Sequence, residues 1–190
     1  MTHQTAIILH GMPDKQEYFD SQIPSESNRH WLPWLQKQLN LQNILTQTPE
    51  FPDPYKPDYA QWCSIFEQYL VNENTLLVSY SCGGGFLIRW LSEHQIRVGK
   101  VVLVAPWIDP DRTDTTDFFY FKIDAALPER TKGVDILVSN NDYADVLKSV
   151  KQIINILPKI NVITLPGKKH FTINDLKTEQ FPELLDICLN

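Results

Sequence analysis

The stretch Leu76-Leu77-Val78-Ser79-Tyr80-Ser81-Cys82-Gly83-Gly84-Gly85 decides the fold. Its apolar start reads as a short buried strand, and an amphipathic helical pattern over Gly84–Glu93 follows at once. Strand, sharp turn, serine at the tip and helix make up the layout of a nucleophile elbow, which lifts a serine oxygen out of a sheet. The turn needs small residues two before and two after the serine, because strand and helix backbones approach closely there. Gly83 meets that need, whereas Ser79 stands where the G-x-S-x-G pattern has its first glycine.

Outward from the elbow, apolar β-rich runs alternate with helical patterns along the whole chain. Strands are predicted at Ala6–Leu9, Asn43–Thr46, Leu76–Ser79, Val101–Val104, Ile136–Ser139 and Val162–Leu165. Helices are predicted at Trp31–Leu39, Tyr59–Val71, Gly84–Glu93, Tyr143–Ile156 and Gln180–Cys188. Short apolar strands alternating with helices predict an α/β three-layer sandwich around a mostly parallel six-stranded sheet. If the third strand lies beside the first, the order is 2-1-3-4-5-6, with a switch point between strands one and three where open α/β sheets bind ligands. A single domain over 1–190 fits the length. Residues 109–127 are long for a connection, acidic first (Asp109, Asp111, Asp114, Asp117) and then aromatic (Phe118, Phe119, Tyr120, Phe121). They read either as a solvated loop docked by its aromatics or as a small cap over a site.

The chain has 43% hydrophobic and 21% charged residues and a formal net charge of −6, which gives it no electrostatic reason to bind nucleic acid or an anionic membrane. Its first residues show no signal-peptide pattern, and no run approaches the roughly 18 apolar residues of a membrane span. Cys63, Cys82 and Cys188 are odd in number and widely spaced, so no disulfide framework or metal site is expected. A cytoplasmic protein without cofactor or metal is the expectation.

A serine nucleophile needs a base, and five histidines are available. His3 is near the N-terminus, His94 ends the elbow helix, and His30 sits beside Trp31 near a helix start. His10 and His170 alone fall just past the C-terminal edge of the predicted sheet. His170, in a loop free to swing over the serine, is the better base. His10-Gly11 after the first strand reads as an oxyanion loop, with the backbone N–H groups of Met12 and Cys82 as the expected donors. The orienting carboxylate is expected at Asp142, just past the fifth strand, rather than at Asp145 inside the next helix or Asp135 at the far end of the sheet. Trp107 and Phe118 are candidates for the substrate pocket. Gly83-Gly84-Gly85 does not make a dinucleotide fingerprint, because Ile88 stands where a glycine is required, and no P-loop ending is present. Cys82 is a weaker nucleophile candidate than Ser81, which holds the elbow tip.

These residues together resemble a family of small α/β hydrolases that includes the bacterial YdeN-like proteins and mammalian retinoblastoma-binding protein nine. The resemblance rests on His10-Gly11, on Asn28-Arg29-His30-Trp31-Leu32-Pro33-Trp34-Leu35, on Pro49 to Pro57 followed by Trp62, and on the elbow. It extends through Val101–Val104, Ser139-x-x-Asp142, His170-Phe171 and Phe181-Pro182. It implies a minimal α/β hydrolase that lacks the first two strands and a large cap, with Ser81, Asp142 and His170 as its catalytic triad. It also implies a serine hydrolase acting on small carboxylic esters. Lys169 departs from it, because glycine is common before the histidine. A peptidase would use the same chemistry. The rival from another class is a protein-interaction module on a hydrolase fold with little turnover, its partner unspecified.

Overall fold

Six strands run parallel in the order β2-β1-β3-β4-β5-β6 in a computed structural model that describes residues 4–115 and 117–190. They are β1 (Thr5–Leu9), β2 (Leu45–Gln47), β3 (Thr75–Tyr80), β4 (Val101–Val104), β5 (Val134–Val138) and β6 (Asn161–Thr164). The sheet is parallel throughout: each of its five neighbouring pairs is parallel. All residues of β3, β4 and β5 are buried, which is why these strands read as continuous apolar runs: helices cover both faces. The edge strand β6 is mostly exposed, Val162 included.

The helices are α1 (Lys15–Phe19), α2 (Leu32–Leu41), α3 (Tyr59–Phe66), α4 (Cys82–His94), α5 (Ala144–Ile156), α6 (Ile173–Leu176) and α7 (Pro182–Leu189). Right-handed crossovers put α3, α4 and α5 on one face and α2 on the other. α7 joins α2 there, with Trp31 edge-on to Phe181 at 6.0 Å. On the opposite face Phe66 of α3 meets Trp90 of α4 at 4.9 Å, and Trp62 stacks on Phe51 at 4.2 Å. None of the described helices is long and apolar enough to cross a membrane.

Several expectations change. The helix predicted over Tyr59–Val71 ends at Phe66, where the Glu67 N–H turns back to the carbonyls of Cys63 and Ile65. α1 and α6 were not predicted; both are short and bury no residue, so hydrophobic periodicity cannot mark them. His3 lies outside the described residues, as does Thr116 within the 109–127 segment. Phe118 and Phe119 of that segment are buried, and Phe118 packs edge-on to Trp62 at 5.1 Å. Phe118 is therefore part of the aromatic core over α3 and α4, not a wall of the substrate pocket.

Candidate active site

Ser81 follows β3 with φ 51° and ψ −120°, a strained backbone for a residue with a side chain. Neighbouring backbone holds it there. Its N–H donates to the Val104 carbonyl at 2.9 Å, and its carbonyl accepts from Gly84 at 2.9 Å and Trp107 at 3.0 Å. The glycines after it serve close approach. A Cβ on Gly83 would stand 2.3 Å from the His10 carbonyl oxygen, and one on Gly85 would stand 2.2 Å from that of Trp107. Gly11 packs in turn against Ser81, where a Cβ would lie 3.2 Å from the serine Cβ. The loops after β1 and β4 thus close on the elbow, and the switch point lies between β1 and β3.

His170 Nε2 is 3.0 Å from Ser81 Oγ, and His170 Nδ1 is 2.8 Å from Asp142 Oδ1. A carboxylate only accepts, so Nδ1 carries the proton and Nε2 is left to accept from the serine hydroxyl. Asp142 is fully shielded at its side chain, and its Oδ1 also accepts the Tyr143 N–H at 2.7 Å. Its Oδ2 is buried without a hydrogen-bond partner among the described residues. Asp145 accepts from Val146 N–H inside α5, and Asp135 lies in β5 at the opposite end of the sheet.

The His170 loop is pinned rather than free to swing. Lys168 N–H donates to Ser139 Oγ at 2.9 Å, Lys169 N–H to Asn141 Oδ1 at 2.9 Å, and Gly167 N–H to Asn140 Oδ1 at 3.0 Å. From the other side the buried Tyr80 hydroxyl donates to the His170 carbonyl at 2.8 Å. Sequence reasoning missed these positioning groups. The signal was available in the run Ser139-Asn140-Asn141, short polar side chains that readily bond nearby backbone. Lys169 and Phe171 flank the histidine with φ 45° and 59°. The left-handed backbone at 169 explains why glycine is common there in the family the sequence resembles.

His10 does not present its side chain to the site. It is 1% exposed; its Nδ1 pairs with the Gly11 carbonyl at 2.8 Å, and its Nε2 accepts the Phe51 N–H at 2.9 Å. That pattern requires a neutral ring, and burial lowers its pKa accordingly. The His10 side chain is a buried clamp between the β1 loop and the proline-rich segment, while the backbone beyond it, Gly11 and Met12, lines the cleft at Ser81. The N–H groups of Met12 and Cys82 have no acceptor among the described residues. Burial pushes the Cys82 thiol far up, so it is no rival nucleophile.

Two arms of a cleft meet at Met12, Ser81, Tyr143 and His170. The larger, about 420 Å³, runs past Pro13, Glu17, Glu26, Arg29, His30 and Asp175. The smaller, about 180 Å³, is bounded by Trp107, Asp114, Asp145 and Val146. Trp107 lines the smaller arm, and the 109–127 segment reaches it at Asp114.

A parallel sheet in this order, with a strained serine at the β3–α4 turn paired to histidine, defines an α/β hydrolase. The chain belongs to the serine hydrolase family, whose model matches residues 23–184. It is similar to YdeN of Bacillus subtilis (strain 168), with 32% identity over 95 residues, 48% of this chain and 50% of that one. The match thus spans about half the length of that relative. The crystal structure of the B. subtilis ydeN gene product superposes with TM-score 0.82 at 22% identity, over 98% of this chain and 97% of the other. Est1E from Butyrivibrio proteoclasticus, with ferulic acid bound, gives TM-score 0.68 at 13% identity over 98% and 87%. At these identities the structural likeness establishes the fold.

Proposed function

We propose that this hydrolase cleaves small carboxylic esters through an acyl-serine intermediate, with Ser81 as nucleophile, His170 as base and Asp142 as its orienting carboxylate. The observation that carries the reading is the continuous series Ser81 Oγ, His170 Nε2, His170 Nδ1 and Asp142 Oδ1, with contacts of 3.0 and 2.8 Å. Ser81 Oγ attacks the ester carbonyl carbon as its proton passes to His170 Nε2. Asp142 fixes the tautomer and stabilises the imidazolium. The developing oxyanion accepts from Met12 and Cys82 N–H, and their lack of acceptors among the described residues supports that role. His170 then returns the proton to the leaving alkoxide, and water repeats the sequence to release the acid. The residues invoked need no metal or cofactor. The three unpaired cysteines support a reducing, cytoplasmic setting.

A fluorophosphonate probe and 4-nitrophenyl acetate test the reading together. Wild type should be labelled and should turn the ester over. Ser81→Ala should lose labelling and, because the three residues act as a unit, kcat on the order of a thousandfold or more. Folded wild type that neither labels nor turns over would instead make the fold an interaction module.

A further inference from the structure

The larger arm of the cleft has a charge that the ester chemistry does not require. Its walls carry the carboxylates of Glu17, Glu26 and Asp175 and a single cationic side chain, Arg29. Arg29 is already engaged: Nη1 donates to Glu26 Oε1 at 2.6 Å and to Glu17 Oε2 at 3.2 Å, and Nη2 donates to Glu17 Oε1 at 3.3 Å. Three carboxylates against one guanidinium leave the arm a formal charge of −2. Glu26 is 6% exposed, and its Oε2 takes no hydrogen bond among the described residues.

The other basic groups nearby do not cancel that charge. His30 accepts the Ile173 N–H on Nδ1 at 3.2 Å, and burial together with Arg29 lowers its pKa to about 4, so it is neutral near pH 7. Lys169 Nζ is 3.9 Å from Asp175 Oδ1, but its side chain is 68% exposed and stands outside the cleft walls. Across the junction, the smaller arm adds Asp114 and Asp145, of the same sign. A cleft lined by one sign of charge with low-dielectric walls concentrates ligands of the other sign.

We infer that the larger arm is a subsite for a cationic nitrogen carried on the alcohol side of the ester. The inference rests on the hydrolase reading above. The alcohol side follows from shape. The acyl group stays bonded to Ser81 during the second half of the reaction, and the small arm beside Trp107 and Val146 fits a short acyl chain. The larger arm, whose wall continues from His170 to Thr172, Asn174 and Asp175, lets the protonated alcohol leave and water enter.

The test compares isosteres that differ only in charge. Acetylthiocholine should be hydrolysed with kcat/KM about tenfold above 3,3-dimethylbutyl thioacetate at low ionic strength, and the ratio should fall toward one as salt screens the arm. Glu17→Gln should lower the ratio. On the acyl side, 4-nitrophenyl 4-(trimethylammonio)butyrate should show a smaller advantage over 4-nitrophenyl 5,5-dimethylhexanoate. A ratio of one or less in the thioester pair, with the neutral thioester turned over, overturns the inference while the hydrolase reading stands. A preference confined to the acyl pair overturns the assignment to the alcohol side. If no ester is turned over and Ser81 is not labelled, the hydrolase reading has failed, and binding decides the subsite separately. Choline must then bind the Ser81→Ala protein more tightly than 3,3-dimethylbutanol, and equal or absent binding overturns the inference.

Discussion

Ser79 occupies the position of the first elbow glycine, fully buried between β3 and α4, and its hydroxyl has no partner among the described residues. The space is sufficient because Gly84 faces it: even a Cβ added there would lie 3.6 Å from Ser79 Oγ. The departure visible in the sequence is thus absorbed by the third residue after the nucleophile, a pairing that only the fold makes visible. An unbonded buried hydroxyl costs about 1–3 kcal/mol, so Ser79→Ala should stabilise the protein by about 1 kcal/mol in urea unfolding. A loss of stability would show that the hydroxyl is satisfied after all. Lys169 is the second local cost. A side chain in the left-handed region is disfavoured by about 1 kcal/mol, so Lys169→Gly should raise the unfolding midpoint while His170 keeps its hydrogen bonds. A lower midpoint would mean that the contact of Lys169 with Asp175 outweighs the strain. At His10 the sequence speaks only for the backbone of the loop: the side-chain clamp on the Phe51 N–H, 41 positions away, becomes visible in the fold.

At the scale of elements, sequence periodicity marks what is buried and misses what is held by caps. The three central strands and α4 were legible because their faces are apolar and packed. α1 and α6 were not, because each depends on a local device. Asp14 accepts from the N–H groups of Gln16 and Glu17 at the start of α1, and Thr172 forms a capping box with Asp175 at the start of α6. The 109–127 segment is organised in the same local way. Asp109, 3% exposed, accepts from the Thr113, Asp114 and Thr115 N–H groups and from the Thr115 hydroxyl at 2.8–3.1 Å. Burial pushes its carboxyl up, but these hydrogen bonds outweigh burial and hold it below the usual carboxylate range. A carboxyl depressed in the folded state gives stability that is present above its unfolded pKa and lost as pH falls through the folded value. Urea stability of wild type should therefore fall on acidification below about pH 4, the unfolded aspartate value. Asp109→Asn should be less stable at pH 7 and should show a shallower acid limb. Parallel acid limbs in the two proteins would remove Asp109 from this role.

Across the whole molecule, the two ends of the sheet do different work. The C-terminal ends of β1, β3, β5 and β6 deliver Gly11, Ser81, Asp142 and His170 to one crevice. That convergence was readable before the structure, because a parallel sheet with one switch point leaves few other places for strand-end residues to meet. The opposite end carries Asp135, whose place in the sheet rules it out as the orienting carboxylate, in a buried ion pair with Lys100. Lys100 Nζ lies 2.8 Å from Asp135 Oδ2 and donates to the Ile187 carbonyl at 2.6 Å, joining the β4 and β5 starts to the last turn of α7. Both side chains are nearly inaccessible, at 9% and 12% exposure, so each charge depends on the other. Removing one partner of such a pair strands the remaining charge and costs about 3–5 kcal/mol, whereas replacing both with apolar groups of similar size is often neutral. Lys100→Met should accordingly lower unfolding stability by about that amount, and Lys100→Met with Asp135→Leu should recover most of it. At a temperature where the single variant stays folded, fluorophosphonate should label Ser81 at the wild-type rate, because no part of this pair reaches the cleft. A labelling rate that falls with the pair, at unchanged helix content, would show that the base of the sheet also sets the geometry of the elbow.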